Sequence, residues 1–351
     1  MPSSVPIELD GAAGGQVLRT ALTLALITGT PFRLLGFRAD RPSPGVRPRH
    51  LALLRAAEAV GGSAEAALGG VELSFAPAPV RRGDYLLELG PTGSACQVFQ
   101  LLAFPLALAG GGSLHLRGVT HAPLGPSYHH LAWAWLPMVQ AYGLRASLSL
   151  LRAGFAPGGE GEFRATVESM ATPPLRVEVP ARGTLQDVEV RAVVGGLPFD
   201  VAVRETRAAE TALRERGIYC SVENLPLPTG RTPGSLVFIR AQFENSFAAF
   251  TVVGERGEVP EDVGARAAAA LADFMQSGGA LDEHLADQIL VPAALLAGSA
   301  LGPSGTTRFT TARVTPHLEA TARVVSRFLG VEVVLGTAGQ VDVRPAAPGA
   351  P

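Results

Sequence analysis

The chain has 351 residues, 47% hydrophobic and 17% charged, which is enough for two domains or for one large domain carrying an insertion. Its net charge of −2 argues against indiscriminate coating of nucleic acid, though not against a local basic cleft. All 29 basic residues are arginines, so any anion must be held by guanidinium forks, which suit phosphate.

Cys96 and Cys220 are too few for a disulfide scaffold and have no metal-ligand spacing. The N-terminus lacks a signal-peptide pattern, and the longest apolar runs, 101–109 and 289–297, are too short to span a bilayer. A reduced, cytoplasmic protein with no membrane partner is expected.

In chain order, 16-QVLRTALTLALITG-29 reads as an apolar helix stopped by glycine, followed by a strand at 32–37. The loop 38-RADRPSPGVRPRH-50 then leads into the helix 50-HLALLRAAEAVGG-62 and a strand at 71–75. The same order returns as 97-QVFQLLAFPLALAG-110, a strand at 113–119, the helix 130-HLAWAWLPMVQAYG-143 and a strand at 146–151. Residues 181–276 break the pattern, with strands at 186–194, 235–240 and 248–253 and helices at 202–216 and 261–276. Between them, 225-LPLPTGRTPGS-235 reads as an exposed Pro/Gly loop. A third round follows: 285-LADQILVPAALLAG-298, a strand at 308–314, 317-HLEATARVVSRFLG-330 and a strand at 331–335.

These three rounds are an internal repeat. From Gln16 to His50, Gln97 to His130 and Leu285 to His317 the spacings are 34, 33 and 32 residues. The expected architecture is α/β, a discontinuous core of three repeats over 1–180 and 277–351, interrupted by a smaller α/β domain over 181–276. The repeat sets Arg19, Gln100 and Gln288 at one equivalent slot, each polar on an otherwise apolar helix, where helix starts can converge on a shared centre.

Arg38, Arg41, Arg47 and Arg49 sit in a loop that enters a helix N-terminus, a place that favours phosphate; RNA ends or nucleotides are natural occupants. There is no P-loop and no G-x-G-x-x-G after a strand. His129 and His130 are neighbours without nearby carboxylates and read as structural. His284 and His317 remain as candidates for chemistry, because a helix start disfavours protonation and keeps an imidazole nucleophilic.

The runs 10-DGAAGGQVLRTALTLALITGTPF-32, 38-RADRPSPGVRPRHL-51, 93-GSACQVFQLLAFPLAL-108, 152-RAGFAPGGEGE-162, 284-HLADQILVPAALLAG-298 and 316-PHLEATARVVSRFLG-330 resemble RNA 3′-terminal phosphate cyclases. The resemblance spans nearly the whole chain. It implies three βαβαββ repeats resembling the C-terminal domain of translation initiation factor three, with a smaller α/β domain inserted before the last.

It also implies an ATP-dependent enzyme using a divalent metal, magnesium or manganese, in which a histidine takes AMP from ATP. The AMP passes to an RNA 3′-phosphate, and the vicinal 2′-hydroxyl displaces it to give a 2′,3′-cyclic phosphate. Carried over by position, the nucleophile falls on His317 and the ATP-contacting run on His284, Leu285, Ala286, Asp287 and Gln288, with Gln100 alongside. Arg19, Arg38 and Arg41 match arginines around the active-site phosphates.

Two segments depart from the family pattern. The loop 11-GAAGGQ-16 is shorter than its G-x-x-G-E-G-G-G-Q and lacks the glutamate that helps hold a metal ion. The segment 120-THAPLGPSYHH-130 lacks a carboxylate usual there. Two other function classes compete. A catalytically silent relative acting in RNA binding or ribosome assembly would lose the nucleophile, which is here as His317. An enolpyruvyl-transferase-like enzyme would want lysines for its acidic substrates, and the chain has none.

Overall fold

The computed structural model describes residues 5–123 and 125–347. The first round runs β1 (Ile7–Asp10), α1 (Gly15–Thr28), β2 (Phe32–Leu35), α2 (Pro48–Gly61), β3 (Gly62–Ala66) and β4 (Leu73–Pro77). Its sheet has the order β1-β2-β4-β3, with β1 and β2 parallel (Ile7 opposite Phe32) and the other pairs antiparallel.

The second round is β5 (Asp84–Glu88), α3 (Ala95–Leu108), β6 (Gly112–Gly118), a helical stretch, β7 (Ala146–Arg152) and β8 (Gly161–Val167). The helical stretch consists of α4 (Tyr128–His130), a π-helical turn (Leu131–Trp135), α5 (Leu136–Val139) and a 3₁₀ turn (Gln140–Tyr142). The order β5-β6-β8-β7 repeats the first sheet, again with one parallel edge pair.

The third such sheet draws its strands from both sides of a long excursion. β9 (Arg176–Val179) comes first. Then follow β10 (Leu185–Gly195), α6 (Asp200–Arg214), β11 (Ser221–Pro226), β12 (Gly234–Phe243), β13 (Phe247–Val253) and α7 (Pro260–Gln276). Afterwards come α8 (Glu283–Ala297), β14 (Thr306–Thr310), α9 (Pro316–Phe328), β15 (Val331–Leu335) and β16 (Gln340–Pro345). β9 pairs parallel with β14, giving β15-β16-β14-β9, while the excursion forms its own sheet, β11-β10-β12-β13.

The helices α1, α3 and α8 are apolar almost all round, and such helices belong inside a protein. Leu18, Leu22, Val98, Phe99, Leu102, Ile289 and Leu290 are buried in one cluster shared by the three rounds. Pro105 and Pro292 interrupt the backbone ladders of α3 and α8, and no helix among the described residues is long and apolar enough to cross a membrane.

The excursion has a separate cluster of Val188, Val190, Ile239, Leu213, Leu271 and Phe274, where α6 and α7 cross closely. A Cβ on Gly264 would come within 2.0 Å of the Glu205 carbonyl, so only glycine fits that crossing. A third cluster, with Phe155, Phe238, Phe247 and Leu285, joins this sheet to the second round and to the start of α8.

The segment 225–235, read as an exposed Pro/Gly loop, begins as the last two residues of β11 (Ser221–Pro226), and Thr229 bridges to Ala153, so it is tied to the sheet edge and to the second round before β12 starts at Gly234.

Candidate active site

The three equivalent polar side chains are joined. Arg19, in the second turn of α1, donates from Nη1 to Gln100 Oε1 on α3 at 3.2 Å and from Nη2 to Gln16 Oε1 at 2.5 Å. Gln100 Nε2 donates to Gln288 Oε1 on α8 at 2.8 Å. His130 Nε2 lies 3.1 Å from the same Gln288 oxygen, and Gln16 Nε2 donates to Thr321 Oγ1 on α9 at 3.1 Å. One hydrogen-bonded chain thus crosses α1, α3, α4, α8 and α9.

Chemistry fixes the direction of that chain. A guanidinium only donates, so Gln100 must turn its oxygen to Arg19 and its NH2 to Gln288. Gln288 must then give its oxygen to Gln100, which leaves its NH2 without a hydrogen-bond partner among the described residues. The cavity beside Gln16, Arg19, Gln100, Trp135, Asp287 and Gln288 is only about 30 Å³, room for a water and not for a nucleotide. The cluster therefore encloses no nucleotide-sized pocket of its own. Burial pulls the Arg19 guanidinium down to about 10, and Asp287 partly opposes that shift.

Each polar residue of 282-DEHLADQ-288 has its own task. Asp282 is the N-cap of α8: its Oδ1 accepts from the His284 and Leu285 backbone N–H groups at 3.0 and 2.9 Å, and its Oδ2 from Ala249 N–H at 3.1 Å. Glu283 pairs with Arg313 at 2.6 Å on the surface. His284 is exposed at the helix start. Leu285 and Ala286 are fully buried, and their backbone N–H groups are bonded to Asp282, so they anchor the segment through packing. Asp287 accepts from Thr315 Oγ1 at 2.7 Å; burial raises its carboxyl to about 6, with the Thr315 bond pulling the other way.

Thr315 couples this helix to the next. The same hydroxyl that donates to Asp287 accepts from Leu318 N–H at 3.0 Å as the N-cap of α9. Pro316 and His317 follow, so His317 is the second residue of α9 and is exposed. Burial, then Arg19, His284 and Arg41, lower its imidazole below the usual histidine value, which favours the neutral form.

The His-Leu equivalence does not hold in detail. His50 and His130 are the third residues of their helices, one place later than His317, and one position turns a side chain by about 100° around a helix. Both are buried where His317 is exposed. His50 Nδ1 accepts from Arg47 N–H at 3.0 Å and is pulled down to about 3 by burial and by Arg49, Arg38 and Arg47.

The arginine loop is anchored at both ends. Arg38 has a left-handed φ of 55°, its N–H bonds Gly11 O at 3.1 Å, and its Nη2 bonds Ser43 O at 3.0 Å. Val46 exchanges backbone bonds with Gly69 and Gly70 at 2.8 and 2.9 Å. Arg41, Arg47 and Arg49 are exposed, and their charges lower the Arg38 guanidinium after burial has done so. The structure thus brings Arg19 and Arg41 to His317, and Arg38 to Arg41.

His130, read as structural from 129-HH-130, is buried and its ring is bonded to Gln288; that link to the shared polar slot was not read from the sequence. His129 does face away, packing against His121 at 2.9 Å and Trp133. No group of three or more His, Cys, Asp or Glu residues able to hold a metal occurs among the described residues. A divalent ion therefore has no ready-made cage, and phosphate oxygens would have to complete its shell.

These features define an α/β protein whose helix starts bring guanidiniums, amides and an imidazole held toward its neutral form to one centre. A sequence model described as RNA 3′-terminal phosphate cyclase matches residues 10–335. Similar proteins named RNA 3′-terminal phosphate cyclase include one from Methylococcus capsulatus, 40% identical over 96% of each chain. Another, from Ectopseudomonas mendocina, is 36% identical over 96% of this chain and 97% of its own. A third, from Ralstonia nicotianae, is 38% identical over 94% of this chain and 93% of its own. The chain belongs to the RNA 3′-terminal phosphate cyclase family.

Proposed function

We propose that the protein converts an RNA 3′-phosphate end to a 2′,3′-cyclic phosphate at the expense of ATP, with His317 as nucleophile. The observation that carries this reading is an exposed histidine at the start of α9, its imidazole held toward the neutral form beside Arg19 and Arg41.

The neutral imidazole nitrogen attacks the α-phosphorus of ATP. An N–P bond forms, the bond from that phosphorus to the bridging oxygen breaks, and pyrophosphate leaves with the electron pair. A terminal oxygen of the RNA 3′-phosphate then attacks the same phosphorus and releases His317, giving RNA-(3′)pp(5′)A. Finally the vicinal 2′-oxygen attacks the RNA phosphorus, its proton is lost, and AMP departs.

Within this reading His284 and the free NH2 of Gln288 hold the nucleotide, and Arg19, Arg38 and Arg41 balance charge on the phosphates. Gln100 orients Gln288, while Leu285, Ala286 and Asp287 keep the start of α8 in register with α9. A divalent metal such as magnesium or manganese would screen the ATP phosphates; the carboxylates at this helix start are already engaged, Asp282 as a cap, Glu283 with Arg313 and Asp287 with Thr315, and no step above is routed through the metal.

The reading includes three βαβαββ repeats over 1–180 and 277–351 with a domain inserted over 181–276. Support comes from the three sheets of like strand order and from the separate apolar cluster of the excursion. A reduced, cytoplasmic setting fits two free cysteines, one of them buried. The direct test is incubation of an oligoribonucleotide 3′-phosphate with ATP and a divalent metal. The product should resist phosphatase and open on acid treatment; an end that stays phosphatase-sensitive contradicts the reading.

A further inference from the structure

We propose that His130 is a positioning residue for the nucleotide, locking the Gln288 amide with its oxygen inward and its NH2 toward the ligand. This rests on the reading of Gln288 as an ATP contact.

Gln288 Oε1 receives Gln100 Nε2 at 2.8 Å and faces His130 Nε2 at 3.1 Å. An amide oxygen only accepts, so His130 must carry its proton on Nε2, and the two donors fill both lone pairs of that oxygen. The last torsion of a glutamine is broad, and one hydrogen bond holds it poorly. Two bonds from different helices fix the amide plane, which leaves both N–H protons of Gln288 for an acceptor atom of the ligand.

His130 can serve as a fixed donor because its own place is set. Its backbone N–H is bonded to Ser127 Oγ at 3.0 Å, and its ring is buried. Burial pulls the imidazole down to about 4, with the Gln288 bond pulling the other way and His284 adding to the lowering, so it stays neutral with its donor on the nitrogen that Gln288 requires. A phenylalanine would fill the same space without a donor.

The test is the rate of covalent labelling of the full chain by α-labelled ATP, without RNA, over a range of ATP concentrations. His130→Phe should raise the ATP concentration for half-maximal rate about tenfold, the loss expected for one neutral hydrogen bond, and leave the saturating rate within about twofold. His130→Gln, which restores a donor, should recover most of the loss. The double variant His130→Phe/Gln288→Ala should be no worse than Gln288→Ala alone.

Thermal unfolding checks that each variant folds, and His130→Leu is the second donor-less substitution if His130→Phe does not. Wild-type labelling with no change in His130→Phe, or losses that multiply in the double variant, overturns the positioning role alone. Absence of any label on wild type overturns the nucleotide reading, and this role with it.

Discussion

Gln100 and Gln288, 188 positions apart in sequence, share a hydrogen bond of 2.8 Å at the centre of the site. It is the fourth of five links in a chain from Thr321 to His130 whose donor direction is set by Arg19. Gln100→Ala removes the partner that forces Gln288 to face inward. It should weaken nucleotide use about tenfold and leave the fold intact, and the loss should not add to that of Gln288→Ala. Labelling rates against ATP concentration measure this; fully additive losses would mean the two amides act separately.

Arg41 should set the acid limb of the first step. Arg19 and Arg41 both lower the His317 imidazole, after burial, and only the neutral form attacks phosphorus. With Arg41→Ala the imidazole moves back toward its ordinary value, so protonation begins at higher pH. The labelling rate against pH should then lose activity earlier on acidification than wild type. A limb that stays in place, or moves to lower pH, would show that Arg41 does not act on His317.

Asp287 carries a stability signature of opposite sign. Its carboxyl is raised to about 6 in the folded protein by burial, against an unfolded value near the ordinary one, about 4. The folded state therefore favours the protonated form, and its contribution to stability is fully present below about pH 4 and is lost as pH rises through about 6. Asp287→Asn removes that slope and should gain on wild type by about 2 kcal/mol between pH 4 and pH 8. Denaturant midpoints at the two pH values measure it, and equal differences would contradict it.

The long elements were legible because periodic apolar runs ending in glycine mark buried helices whatever their neighbours; α1 stops at Gly29, whose N–H bonds Ala25 O at 2.9 Å in a left-handed turn. β1, β3, β5, β8, β9, β11 and β16 were not read from the residues; five of them are sheet edges, while β8 and β16 lie inside their sheets. The alternation in 84-DYLLE-88 is half-exposed on both faces, so it leaves little apolar signal.

In the site, the shared slot of Arg19, Gln100 and Gln288 was visible as a repeated polar residue, and their bonding follows from it. The role of Thr315 was not visible, because one hydroxyl capping α9 while donating to Asp287 depends on how two helices meet. Nor was the offset that separates His317 from His50 and His130. It is one residue relative to the cap, too small to read from spacings of 32 to 34 residues, yet enough to turn a ring from the core to the surface.

The most direct measurement is the fate of label from α-labelled ATP on the protein itself. With wild type, AMP should become covalently attached through an acid-labile, alkali-stable N–P bond, and the labelled peptide should contain His317. His317→Ala should take no label, while His284→Ala should still label when ATP is abundant. Label that persists in His317→Ala, or that maps to His284, would contradict the assignment of the nucleophile.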